Sequence, residues 1–109
     1  MSLESEREER SGPTEMDEEK ARARVVVHGV VQGVGFRYFA FRNATIRGLK
    51  GYVRNLPDGS VETVVEGDRD MVADYVEQVK AGPRFARVTR ADVTWEPFRG
   101  EFETFEIRY

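Results

Sequence analysis

Between Asn55 and Val61 the chain reads Leu-Pro-Asp-Gly-Ser, and no other stretch constrains the fold as tightly. Pro57 presets its own φ, Asp58 favours a turn through its side chain, and Gly59 tolerates positive φ. The runs on either side, "GYVRNL" and "VETVVEG", have strand composition, so the spacing predicts an antiparallel hairpin. Upstream, the β-branched run "RARVVVHG" (residues 22–29) predicts a central, buried strand. Phe36, Ala40 and Asn43/Ala44 then recur at helical spacing, with Phe39 beside them, until Gly48 stops the pattern. Downstream, Asp68 stands where it can cap a second helix, whose apolar stripe is Met71/Val72, Tyr75/Val76 and Val79. Gly82-Pro83 ends that helix. Thr89, Ala91, Val93 and Trp95 alternate with polar neighbours, as do Phe105, Ile107 and Tyr109.

The resulting order, β-α-β-β-α-β with a closing strand, is that of an α+β, ferredoxin-like (split βαβ) sandwich. Two helices are expected on one face of a mainly antiparallel sheet of four to five strands. At 109 residues the chain is sized for one domain. Its net charge of −3 conceals two unequal parts. Residues 1–20 hold eight acidic and three basic side chains, a balance of −5, whereas residues 21–109 hold twelve acidic and fourteen basic, a balance of +2. The first part has no apolar periodicity and reads as an acidic, disordered leader; the second reads as the folded domain. Met16 also raises the expectation that translation starts there. Cysteine is absent, which excludes disulfides, thiol catalysis and thiolate metal sites. No apolar run approaches membrane-spanning length and no secretory signal is present, so the expectation is a cytoplasmic monomer with no membrane partner.

The chemistry concentrates in "HGVVQGVGFRYF" (residues 28–39), where Gly29, Gly33 and Gly35 lie between a strand and a helix start. Glycines there let successive N–H groups converge on an anion at the positive end of a helix. Arg37 follows in the first helical turn, with a guanidinium fork suited to phosphate or carboxylate. The stretch is neither a P-loop, having no Lys-Ser or Lys-Thr, nor a dinucleotide fingerprint, since Tyr38 takes the third glycine position. On spacing alone it is either an oxyanion cradle or only a tight strand-to-helix connection. Asn55, at the end of its strand, is either a turn cap or a site residue. Arg54 beside it belongs on the opposite face.

These strings in this order, "VHGVVQGVGFR", "GYVRNLPDGSVE", "EG" and "GPRFARV", resemble the acylphosphatase family over residues 23–109. The resemblance implies hydrolysis of a carboxyl-phosphate anhydride by a free-standing enzyme. It further implies that Arg37 binds the phosphoryl group and that Asn55 orients the attacking water. The phosphate loop it implies comprises Gly29, Gln32, Gly33, Val34, Gly35 and Phe36 with Arg37. Tyr52 and Val30 depart from residues common in the family, at positions that match no catalytic one.

The chemistry explains why so few groups are needed. The leaving carboxylate has a conjugate acid of pKa about 4, so it departs without a general acid. Neutralising phosphoryl oxygens and aiming water in line is the remaining work. No cofactor or metal is expected, because the acids of the domain are scattered: Asp58, Glu62, Asp68, Asp70 and Asp74 read as caps or solvated faces. His28, the single histidine, reads as facing outward at a strand end, although a phosphohistidine nucleophile is the other role for a histidine beside such a loop. The partners expected are a small acyl phosphate and inorganic phosphate. Two alternatives are a non-catalytic phosphate or acyl-phosphate sensor and an RNA-binding ferredoxin-like module. The second is disfavoured because "KGYVRNL" puts Arg54 where a stacking aromatic belongs, so no nucleic-acid partner is expected. A domain of a larger carbamoyl-phosphate-handling enzyme is a third, and the end at Tyr109 favours the free-standing form.

Overall fold

A computed structural model describes residues 19–109. The expected leader and the Met16 start lie outside the described residues, save that Lys20 already opens the first strand. The elements run β1 (Lys20–Val30), α1 (Phe36–Ile46), β2 (Lys50–Asn55), β3 (Val61–Asp68), α2 (Arg69–Ala81), β4 (Arg87–Glu96) and β5 (Phe105–Arg108). The five strands form one sheet in the order β4-β1-β3-β2-β5, and both helices pack on the same face of it. The sheet is mixed: β1 pairs antiparallel with β3 and β4, β2 pairs antiparallel with β3, and β5 joins β2 in parallel. The ferredoxin-like α+β architecture stands, with the parallel edge accounting for "mainly" antiparallel.

Strand alternation divides the molecule into two unlike faces. Toward the helices, Ala23, Val25 and Val27 of β1, Val53 of β2, and Val61 and Val65 of β3 are essentially inaccessible. Phe36, Ala40 and Ala44 of α1 and Val72, Tyr75, Val76 and Val79 of α2 close over them. Small residues in α1 let that helix lie close to the sheet. It ends in a Schellman motif: Gly48 is left-handed at φ 68°, its N–H donates to Thr45 O, and the N–H of Leu49 donates to Ala44 O. One polar chain crosses the core. The Thr63 hydroxyl donates to Tyr52 O at 2.8 Å, so the Tyr75 hydroxyl, 2.8 Å away, is the donor to Thr63. Burial pushes the Tyr75 phenol above its ordinary range, which keeps that donor proton in place.

The helix-free face is not the solvated surface expected for Glu62. That carboxylate is 3% exposed and is held by Arg24 at 2.7 Å and Arg54 at 2.6 Å. Burial works to raise its pKa, but the hydrogen bonds from Arg24 and Arg54 outweigh it and hold the carboxyl below its usual range. The correction has a plain cause: arginines from the two neighbouring strands fold across β3 and cover it. Glu66 is buried to the same degree, tied to Arg22 and to the backbone N–H groups of Arg99, Gly100 and Glu101. Asp68 occupies the N-cap position of α2, as its place predicts, but its side chain makes no capping hydrogen bond. Asp58 does cap its turn, accepting from the Ser60 N–H at 2.9 Å and from the Ser60 hydroxyl. Asp70 falls in the first turn of α2, and Asp74 pairs with Arg47.

Candidate active site

At the end of β1, backbone geometry supplies what the glycines foretell. Gly33 and Gly35 are left-handed, at φ 75° and 78°, and a Cβ on either would meet nothing within 4 Å. Backbone conformation, not space, therefore requires glycine at both. Gly29 differs. It sits at a bulge where β1 meets β4, and a Cβ there would lie 2.1 Å from Arg87 O. Its glycine serves close approach of two strands, and it does not line the hollow described next.

Gly35 is also the N-cap of α1, without a side-chain cap and with no acidic residue in the first turn. The first helical hydrogen bond runs from Phe39 N to Gly35 O at 3.0 Å. The N–H groups of Phe36, Arg37 and Tyr38 precede that ladder, and no carboxylate in the turn offsets the positive helix end. These groups open into a hollow of about 230 Å³ lined by Val31, Gly33, Gly35, Phe36, Arg37, Tyr38, Asn55, Ile107 and Tyr109. The fold thus brings Arg37 and Asn55, eighteen positions apart, to one cavity beside a helix N-terminus.

Arg37 has no carboxylate partner among the described residues. Its guanidinium lies 4.6 Å from the centre of the Tyr109 ring, and its Nη1 reaches Arg108 O at 3.5 Å. Its charge is braced by an aromatic face and a carbonyl but not neutralised. Asn55 faces the helix side of β2 with Val53, whereas Arg54 turns to the opposite face and pairs with Glu62. The Asn55 carboxamide makes no hydrogen bond among the described residues, so it is not spent on capping the turn. Gln32 and Val34 do not line the hollow. Val34 packs on the core, and the Gln32 carboxamide donates to Leu56 O and Ser60 O, both at 2.8 Å. His28 faces the other side of the sheet, 3.2 Å from Asp92. Among the described residues no three of His, Asp and Glu gather as a metal-ligand group.

Sequence reasoning did not single out Tyr38, Ile107 or Tyr109 as walls of the site. Tyr38 could have been found from its place in the first turn of α1. The other two depend on β5 pairing in parallel with β2, for which the sequence carries no local signal. Two larger hollows, of about 380 and 440 Å³, lie at the opposite end of the sheet near Lys20. The first of them also has left-handed glycines, Gly48 and Gly100, beside the start of α2, but acidic side chains line both, Glu66 and Asp68 in one and Glu96 in the other. The smaller hollow has none, so chemistry rather than size selects it.

A sequence profile of the acylphosphatase family matches residues 23–107. The acylphosphatase of Caldivirga maquilingensis is 53% identical over 91 residues, which cover 81% of this chain and 94% of that protein. That of Syntrophobacter fumaroxidans is 50% identical over 91 residues, covering 84% and 94%. The crystal structure of acylphosphatase from Bacillus subtilis matches with a TM-score of 0.78 at 42% identity, over 82% of this chain and 99% of that one. With fold, loop and nearly the whole length of these relatives in common, the chain belongs to the acylphosphatase family.

Proposed function

We propose that this protein hydrolyses acyl phosphates to a carboxylate and inorganic phosphate at the hollow between Gly33 and Asn55, with Arg37 and Asn55 as its catalytic residues. The observation that carries this assignment is the convergence of an unneutralised arginine, a bare helix N-terminus and an unengaged carboxamide on one cavity. Phosphoryl oxygens dock on the N–H groups at the start of α1 and on the Arg37 fork. The Asn55 carboxamide, able to donate and accept at once, holds a water in line with the scissile P–O bond. Water oxygen bonds to phosphorus as the bond to the acyl oxygen breaks, and that bonding pair leaves on the carboxylate. An amide is no base near neutrality, so the water proton passes to a phosphoryl oxygen of the substrate. The groups that neutralise charge are in place before substrate arrives, and such preorganisation is the main source of rate in phosphoryl transfer.

The substrate's acyl group meets an open cleft bounded by Tyr38 and Tyr109, and the protein is proposed to act as a cytoplasmic monomer. Hydrolysis of benzoyl phosphate with EDTA present tests the assignment. Wild type should turn over without added metal. Arg37→Ala should lose about 10²–10³ in kcat and bind phosphate more weakly. Asn55→Ala should lose mainly kcat, since water is aimed in the reaction and not in substrate binding. Undiminished turnover in either variant removes that residue from the mechanism, and phosphate binding without turnover in wild type points instead to a sensor.

A further inference from the structure

Gln32 sits one residue before Gly33, within the loop that the family resemblance implies for phosphate. Its side chain does something else. The carboxamide crosses to the β2–β3 hairpin and gives one N–H to Leu56 O and the other to Ser60 O, each at 2.8 Å. Both acceptors are already engaged inside the hairpin: Leu56 N donates to Ser60 O at 2.8 Å and Gly59 N donates to Leu56 O at 3.1 Å. Only a side chain with two donors on one atom fits between two carbonyls in this way. A carboxylate would face them with repulsion, and an apolar side chain would leave each carbonyl one partner short.

Leu56 directly follows Asn55. Because the Asn55 carboxamide has no hydrogen bond of its own among the described residues, its place is set by its backbone. On one side that backbone is held by the ladder partner Val61, and on the other by the Leu56 carbonyl that Gln32 grips. Asp58 stiffens the far end of the same turn through Ser60. The anion loop and the hairpin are therefore joined by one amide, next to Gly33 at one end and next to Asn55 at the other.

We infer that Gln32 is a positioning residue. Its side chain fixes the separation between the loop that holds the phosphoryl group and the carboxamide that aims the water. This rests on the site assignment above. Misplacement by about 1 Å in such an arrangement costs up to about 10²-fold in rate, while the loop's own N–H groups keep their affinity for phosphate.

The test is a double-mutant cycle of Gln32→Met and Asn55→Ala, reading kcat on benzoyl phosphate, inhibition by inorganic phosphate, and Tm. Gln32→Met is expected to lower kcat about ten-fold or more and to leave the phosphate inhibition constant within about two-fold. In the Asn55→Ala background the same substitution should cost nothing further. Gln32→Glu, with the same reach but no N–H, should follow the same pattern in kcat and covers the case in which the methionine variant does not fold. An equal loss in both backgrounds overturns the inference, because it marks a structural role that does not act through Asn55. So does an unchanged kcat, or a loss of phosphate affinity in Gln32→Met that matches its loss of rate. If Asn55→Ala itself keeps full turnover, the site assignment fails first; if Asn55→Ala is crippled and Gln32→Met is not, only the inference on Gln32 fails.

Discussion

Among the described residues, the two ends of the sheet gather the same parts, and at one of them a carboxylate of the protein itself is held by converging N–H groups. At the far end, Glu66 of β3 lodges its carboxylate against the N–H groups of Arg99, Gly100 and Glu101 at 2.7, 3.1 and 2.9 Å. Gly100 is left-handed at φ 64°, and Arg22 reaches the same carboxylate at 3.2 Å. The near end uses the same parts: left-handed Gly33 and Gly35, backbone N–H groups and Arg37. Converging amides with an arginine are thus not in themselves a functional signature. They become one where the anion must come from solution and a group able to hold water stands beside it. The cradle around Glu66 spends its binding energy on folding, whereas the one at Gly33 and Gly35, on the assignment proposed above, keeps it for a ligand.

That contrast can be broken by emptying the filled cradle. Glu66→Ala strands three N–H groups and one contact of Arg22, which retains Glu96 and Glu101. A loss of about 3 kcal/mol is expected, at the low end for breaking a buried pair. Thermal melting should drop by about 10–20 °C. Activity per folded molecule should persist; its loss would mean that the two ends are not independent.

Gly33→Ala and Gly100→Ala each force an L-residue into left-handed backbone, at about 1–2 kcal/mol. Neither meets a prohibitive clash, the nearest atom to a Cβ on Gly100 being in the Phe98 ring at 3.4 Å. Both should melt several degrees lower, but only Gly33→Ala should weaken inhibition by phosphate. Equal inhibition constants for the two would move the cradle elsewhere.

The smallest effect is in acid. Burial alone would raise the Glu66 carboxyl, but the N–H groups of Arg99 and Glu101 and the Arg22 guanidinium more than offset it, so its folded pKa is depressed. The stability it contributes is complete above the unfolded value of about 4.3 and drains away as pH falls through the lower, folded one. Urea midpoints from pH 7 to 3 should therefore fall less steeply below about pH 4 in Glu66→Gln than in wild type. Parallel curves would remove this carboxylate from the acid limb.

What the sequence disclosed follows from the range of each interaction. The hairpin, both helices and the left-handed loop depend on neighbours within a few residues, and all were legible. Asn55 and Arg54 were correctly assigned to opposite faces because strand alternation is local. Glu62 was misjudged because "VETVVEG" alternates like a strand with one wet side. Its cover comes from Arg24, thirty-eight positions away, and from Arg54 on a different strand. The Glu66 cradle depends on a loop more than thirty positions on, and the Tyr109 contact with Arg37 on a parallel pairing at the sheet edge. Nothing local reveals where the Gln32 side chain goes, since its two acceptors lie twenty-four and twenty-eight positions on.

The walls of the hollow come from Val31, Gly33 and residues 35–38, from Asn55 and from residues 107 and 109, and the last two are placed only when β5 pairs with β2, joining Gly51 to Phe105 across fifty-four positions. Non-local closure of this kind is slow and late in folding. A collapsed intermediate with the β2–β3 hairpin formed but β5 unpaired would have Arg37 without its aromatic brace. Recovery of turnover after dilution from denaturant should then lag behind the far-ultraviolet signal of the helices, so that the enzyme reports the last stage of its own assembly.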